Sequence, residues 1–265
     1  MKKFQAKCKN AYLIKLLAEV LNNNLKTGCF EFNKNGIYLK MMDDRKHILI
    51  DIALPKDQFY LYNYDFNTTQ HIGVNLCHLY KMIKSVKKKD TIEIFIDSED
   101  LTDLGIKVTS NNSTRTSCSF IKIQSIQNLE IESPSGYSYT YLIPSSNFGK
   151  MCKEMYSIDS KIDIVATKYK IIFKTDAGGI MKKHIEFGEN PDVKDVLIKT
   201  VVFNKTYKTE QLNRLCKIAG FSTDMHICID NDMPLLLKSS IGALGTISIY
   251  IKDNQQLEAE QLYNN

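Results

Sequence analysis

Leu76-Cys77-His78-Leu79-Tyr80-Lys81 and Leu212-Asn213-Arg214-Leu215-Cys216-Lys217 are two copies of one pattern, Leu-x-x-Leu-x-Lys. Each copy leads to an acid and then to a strand-like run. In the first these are Asp90 and Ile92-Glu93-Ile94-Phe95-Ile96-Asp97; in the second, Asp224 and Met225-His226-Ile227-Cys228-Ile229-Asp230. A second echo links Lys34-Asn35-Gly36-Ile37-Tyr38-Leu39-Lys40 with Lys168-Tyr169-Lys170-Ile171-Ile172-Phe173-Lys174. Self-similarity at this distance predicts a duplicated unit in which helices alternate with strands, an α+β fold. The expected organisation is a first domain over residues 1–123, a connector over 124–137 and a second domain over 138–265. The connector mixes spaced apolar residues with the turn formers Ser133-Pro134-Ser135-Gly136, as an exposed, partly docked linker does.

Working outward from the repeat, runs of period two predict strands at 30–32, 37–39, 48–54, 91–96, 105–109, 119–123, 162–166, 170–173, 226–229 and 246–251. Between the first two, Asn33-Lys34-Asn35-Gly36 reads as a tight hairpin turn, with Asn-Gly favoured for its tolerance of positive φ. Helical spacing is confined to four short stretches, 12–21, 76–88, 147–155 and 210–219. Leu13, Leu16, Leu17 and Val20 share one side of the first, and Leu76, Leu79, Ile83 and Val86 one side of the second. Phe148, Met151, Cys152 and Met155 do so in the third, and Leu212, Leu215 and Ala219 in the fourth. One apolar stripe per helix predicts that each lies on a sheet.

The faces opposite those stripes are basic. Lys81, Lys84 and Lys88 recur at i, i+3 and i+7, and Lys87 and Lys89 add to them against Asp90 alone. Lys150 and Lys153 mark the third helix, Asn213, Arg214 and Lys217 the fourth, and Lys15 with Asn22 the first. A charged outer face on one helix is ordinary solvated surface. The same habit on every predicted helix suggests a shared purpose.

Composition bounds that purpose. The chain has 265 residues, 43% hydrophobic and 25% charged, which suits a globular core and not a disordered chain. Thirty-five Lys+Arg against 30 Asp+Glu give a net charge of +5, too small an excess to indicate nucleic-acid binding without the clustering just described. No run approaches the roughly 18 consecutive apolar residues of a membrane span, and Met1-Lys2-Lys3-Phe4-Gln5-Ala6-Lys7 lacks the apolar centre of a signal peptide. The seven cysteines, Cys8, Cys29, Cys77, Cys118, Cys152, Cys216 and Cys228, form no C-x-x-C pair, which predicts reduced thiols in a reducing compartment. His47, His71, His78, His184 and His226 lack metal-ligand spacing, and no phosphate-binding glycine loop, nucleophile elbow or zinc helix motif occurs. The expectation is a binding protein without cofactor, metal or catalytic residues. Asp43-Asp44 is the one adjacent carboxylate pair, and beside Arg45-Lys46 it reads as a charged turn.

Several ordered features together resemble the proliferating cell nuclear antigen family, the eukaryotic-type DNA sliding clamps. They are Gly73-Val74-Asn75-Leu76 followed by Lys81-x-x-Lys84, Leu39-x-x-Met42-Asp43, and Ile143-Pro144-Ser145 leading to Phe148 and Cys152. Asp232-Met233-Pro234-Leu235 and the late strand ending in Tyr250-Ile251 complete the set, and the resemblance runs over about residues 4–251. It implies duplicated clamp domains with antiparallel sheets outside and short helices lining a central hole. Three copies would close head to tail around duplex DNA.

By the same resemblance, Lys15, Lys81, Lys84, Lys150, Lys153 and Lys217 face DNA; helical spacing alone adds Lys88. Partners carrying a PIP-box peptide would dock on Met42, Leu49, Tyr137, Pro234 and Tyr250, with Leu129 or Ile131 from the connector. Ring closure would pair edge segments 114–121 and 179–187 of neighbouring copies. The implied partners are double-stranded DNA, a DNA polymerase, other PIP-box proteins, a clamp loader and the chain itself as a homotrimer, acting in the nucleus or at a site of viral DNA replication. Other readings are a clamp-fold factor gripping DNA as a monomer or dimer, a checkpoint-type subunit of a heterotrimer, and a nuclease using Asp43 and Asp44. The chain departs from the family in its positive charge and in Lys252-Asp253, which stand where Ala-Pro normally follows the late strand.

Overall fold

The short apolar runs form strands, and the computed structural model, which describes residues 1–112, 115–126, 131–188 and 200–263, arranges them twice in one order. Two compact units result. The first comprises Met1–Asp44, Ile50–Glu132 and Ser240–Ile247; the second, Arg45–Leu49, Ser133–Ser239 and Ser248–Asn265. The first is built from β1 (Lys2–Cys8), α1 (Ala11–Asn24), β2 (Thr27–Asn33), β3 (Gly36–Met42) and most of β4 (Ile48–Pro55). It continues with β5 (Leu61–Tyr64), β6 (Gln70–Asn75), α2 (Leu76–Ile83), β7 (Thr91–Asp97), β8 (Asp103–Thr109) and β9 (Thr116–Lys122). The second contains β10 (Tyr139–Pro144), α3 (Ser145–Tyr156), β11 (Lys161–Thr167), β12 (Lys170–Asp176), β13 (Lys182–Gly188) and β14 (Val201–Lys208). After these come α4 (Thr209–Arg214), β15 (Asp224–Ile229), β16 (Leu235–Ser240), β17 (Thr246–Ile251) and α5 (Asn254–Tyr263).

In the first unit strands are neighbours in the orders β5-β1-β7-β8-β9 and β4-β3-β2-β6; in the second, β10-β15-β16-β17 and β13-β12-β11-β14. Element for element, β1-β7-β8-β9 matches β10-β15-β16-β17, and β4-β3-β2-β6 matches β13-β12-β11-β14. The sequence repeat therefore falls on equivalent pieces, α2–β7 against α4–β15 and β3 against β12. The fold is α+β with duplicated clamp-type domains, antiparallel pairing and few short helices.

Within the first unit the helices bury their stripes between two sheet faces. Ile14 and Leu21 of α1 and Ile83 of α2 meet Phe32 of β2, Ile92 of β7 and Leu104 of β8, leaving a residual cavity of only about 60 Å³. Burial of each such side chain contributes about 1.5–3 kcal/mol. Asn75 starts α2 by accepting a hydrogen bond from the His78 amide at 3.0 Å.

Three local expectations change. The second helix stops at Ile83 instead of reaching Lys88. The Asp90 carboxylate accepts from the Lys87 amide at 2.8 Å, offering the backbone a turn in place of another helical bond. The fourth helix is broken: α4 gives way to a 3-10 turn over Cys216–Gly220. Leu212, Leu215, Ile218 and Phe221 recur every three residues and are all buried, the row a three-residue turn aligns. The hairpin at Asn33 forms, but its lock is a side chain. Asn33 Oδ1 accepts from the Asn35 and Gly36 amides at 2.7 and 3.2 Å, and Asn35 keeps a negative φ.

Among the described residues no helix is long and apolar enough to cross a membrane. All seven cysteines are free, and Cys77 and Cys118 are exposed.

Helix α5 was absent from the pattern of apolar stripes, because Leu257 is its one residue buried below a tenth among those described. Its signal is Asp253-x-x-Gln256, a reciprocal cap. Asp253 Oδ1 accepts from the Gln256 amide at 2.8 Å and Gln256 Oε1 accepts from the Asp253 amide at 3.1 Å. The second carboxylate oxygen pairs with Lys205 Nζ at 2.7 Å, and both side chains are largely buried. Asp253→Ala leaves that ammonium buried and alone, and should lower the unfolding free energy by about 3–5 kcal/mol in urea titration. Gln256→Ala, which removes half the cap, should cost about 1 kcal/mol.

Candidate functional site

The candidate lysines occupy the helix layer of each unit. In the first, α1 packs on α2. Lys15, half-buried, donates to the Val86 carbonyl at 3.3 Å and lies 5.4 Å from the centre of the Tyr12 ring. Lys88 approaches the same ring at 5.9 Å. The structure thus brings Lys15 and Lys88 together around one aromatic face, although Lys88 sits in a turn and not on the predicted helix. Lys81 is exposed in the last turn of α2, and Lys84, its C-cap, is exposed as well. Positive charge there complements the carbonyl end of the helix.

In the second unit Lys150 and Lys153 are exposed on α3, and Lys217 is exposed on the 3-10 turn. These two elements pack closely because of Gly149. A Cβ at that position would lie 2.8 Å from the Ala219 Cβ and 3.1 Å from the Cys216 carbonyl oxygen. The apolar sides are sealed: Phe148, Met151, Cys152 and Met155 are at most 1% exposed. The basic groups are left facing outward by elimination. Burial keeps the Cys152 thiol well above its usual range, so it is an inert core residue.

The groove candidates divide between the units. Met42 ends β3 and is half-buried; Ile131, with Glu132, lines a hollow of about 450 Å³ over Glu31, Tyr38 and Asp51 in the first unit. Leu129 lies outside the described residues. In the second unit the structure joins Tyr137 to Pro234, the phenol donating to the Pro234 carbonyl at 2.9 Å. Burial, helped by the nearby Tyr250, Cys228 and Asp230, pushes the Tyr137 phenol upward, so it keeps its proton and this bond at neutral pH. Tyr250 and Leu49 are 8% and 5% exposed in the isolated chain, more enclosed than Tyr137 and Pro234. Lys252 anchors this end of the chain by donating its amide to the His47 carbonyl at 3.1 Å and pairing its ammonium with Glu260.

Asp44 of the carboxylate pair is held by Lys26 at 2.6 Å. Sequence reasoning missed Tyr12, which gathers two of the lysines, and Lys205, whose partner Asp253 begins α5. The Gly149–Ala219 approach makes a sharp prediction. Gly149→Val forces α3 away from the 3-10 turn and should cost about 1–3 kcal/mol by thermal or urea melting.

Comparison with known proteins bears on the fold and the family. The family model described as "Proliferating cell nuclear antigen, N-terminal domain" matches residues 3–131, and the corresponding C-terminal domain model matches residues 130–254. The chain is 23% identical over 253 residues to a proliferating cell nuclear antigen of Chaetomium thermophilum, covering 93% of this chain and 96% of the relative. It is 22% identical over 253 residues to that of Caenorhabditis elegans, covering 94% and 95%. An uncharacterized protein, 436R, of Invertebrate iridescent virus 6 is 25% identical over 237 residues, covering 83% and 77%. The crystal structure of the Entamoeba histolytica proliferating cellular nuclear antigen shares the fold, with a TM-score of 0.82 at 20% identity, covering 96% of this chain and 100% of that one. With both domain models matched in order across nearly its whole length, this chain belongs to the proliferating cell nuclear antigen family of sliding clamps.

Proposed function

We propose that this chain is a DNA sliding clamp: three copies close head to tail around duplex DNA and tether a replicative polymerase. The observation that carries the reading is the matched placement of lysines. Lys81 on α2 has its counterpart in Lys217, and Lys15 on α1 answers to Lys150 and Lys153 on the equivalent helix α3 of the second unit; Lys84 and Lys88 add to the first unit's set. A duplex presents one negative charge per roughly 1.7 Å of axis, whatever its sequence. Flexible ammonium groups attract such a cylinder without reading bases, and exposed ones exchange phosphates readily. Loose contact suits a ring that must translocate, because its hold comes from closure.

A tethered polymerase stays at high effective concentration near the primer end, which is the physical basis of processivity. Half-buried Tyr137 and Pro234, backed by the enclosed Tyr250 and Leu49, supply the apolar surface in the second unit for the anchors of a PIP-box peptide, where a few buried side chains carry most of the affinity. Ring closure falls to β9 and β13, each an edge strand in its sheet order, since an unpaired edge favours a strand from another copy. A clamp loader would open that joint. The setting is DNA replication, in a nucleus or at a viral replication site, and no residue is assigned a catalytic role.

Replacing Lys81, Lys84 and Lys150 together by alanine tests the lysine reading. The exposed substitutions should leave the melting temperature unchanged, weaken duplex binding at low salt, and reduce the slope of log K against log salt by about 2–3. Fluorescence anisotropy across a salt series reads both quantities. An unaltered slope would mean that these lysines do not face DNA.

A further inference from the structure

The hairpin between β12 and β13 ends in a tip that is tightly bonded yet apolar. Asp176 accepts from the Gly179 amide at 2.6 Å, the Ala177 amide donates to Met181 O at 2.9 Å, and Lys182 pairs with Asp176 at 2.9 Å. Gly178 and Gly179, at φ 63° and 81°, let the chain turn. The result holds Ile180 95% exposed and Met181 52% exposed. A fixed loop that displays two large apolar side chains to water is built to meet something.

A matching receptor lies on the β9 edge of the other unit. Phe95, Gly105 and Phe120 are successive partners across β7, β8 and β9. A Cβ at position 105 would fall 2.4 Å from the Phe95 ring, so the glycine lets that ring lie across β8. There it meets Phe120 edge-on, with centroids 5.9 Å apart and planes at 86°. Phe120, 56% exposed, carries this aromatic ledge to the open edge. The two rings and Asp97, Asp100 and Asp103 line a hollow of about 230 Å³.

Strand direction connects the two. In antiparallel pairing between copies, the start of β13 lies opposite the end of β9. The first carries Ile180, Met181 and Lys182; the second carries Phe120 and the hollow. Apolar then meets apolar, and the lysine meets three aspartates. Parallel pairing would instead set the tip against Thr116, at the far end of β9, away from the rings. We propose that the Ile180–Met181 tip of one copy seats in the Phe95–Phe120 hollow of a second copy, with Lys182 facing its aspartates. The contact rests on the edge pairing proposed above and adds what sets its direction and register. The exposed Lys182–Asp176 pair can exchange partners across the joint with little net change, while Asp103, half-buried, stays paired with Lys122. Each copy owns one tip and one hollow, so the contact is head-to-tail.

Sedimentation equilibrium of the full chain tests this with Ile180→Asp and Phe120→Asp. The first, at a 95% exposed position, should leave the melting temperature unchanged. The second loses the ring packed on Phe95 and should melt slightly lower while remaining folded by circular dichroism. Wild type should reach three times 30.4 kDa at micromolar concentration, and each variant alone should fall to 30.4 kDa. The loss corresponds to at least a roughly tenfold rise in the dissociation constant. Mixed in equal amounts, the variants should recover one sound joint, the tip of the Phe120→Asp chain on the hollow of the Ile180→Asp chain, and give a dimer. If wild type forms a trimer and Ile180→Asp forms it equally well, the tip contact is wrong while the edge pairing stands. If wild type stays at 30.4 kDa throughout, the edge pairing fails and the contact with it.

Discussion

Burying one apolar stripe of each short helix against its sheets is the constraint on which the rest depends. A helix that seats Ile14, Leu17 and Leu21, or Phe148, Met151 and Met155, cannot rotate without exposing several side chains, each worth about 1.5–3 kcal/mol. The opposite face is thereby fixed as well. Packing places the lysines from behind, and in the first unit the Val86 carbonyl and the Tyr12 ring add to it for Lys15. Gly149 sharpens the same constraint by letting α3 and the 3-10 turn approach until Ala219 is in contact. Exposed lysines on a backbone fixed in this way are what the proposed contact with a polyanion requires.

The duplicated α+β order was legible because it is written in two independent periodicities, the Leu-x-x-Leu-x-Lys pattern and the alternating strands. Helix existence was legible and helix ends were not. Asp90 competes for the Lys87 amide through a side chain, which apolar spacing does not report. The 3-10 turn was misread as α-helix because Leu212 and Leu215 fit both periods, and Ile218 and Phe221 distinguish them. Helix α5 lacks a broad apolar face and shows itself only through the cap formed by Asp253 and Gln256.

Of the candidate site, Lys81, Lys150 and Lys153 lie on helices that apolar spacing predicts. Lys88, assigned by helical spacing alone, lies in a turn beyond α2, and Tyr12, which collects Lys15 and Lys88, was not legible because its role depends on that turn meeting a helix. The groove residues came only from family resemblance. Tyr137 and Pro234 are joined by a hydrogen bond, while Met42 and Ile131 belong to the other unit. The departure at Lys252-Asp253 has a structural consequence. Both residues are committed at α5, Lys252 through Glu260 and Asp253 through Lys205, so this end of the chain carries charge pairs where the family resemblance leads one to expect Ala-Pro.

A ring that encircles its substrate differs from a surface that grips it in one measurable respect, topology. Placed by its loader on a nicked circular duplex and washed at moderate salt, the protein should remain bound, and cutting the circle with a restriction enzyme should release it from the free ends. Equal retention on circular and linear DNA, or loss from both in the same wash, would contradict the account.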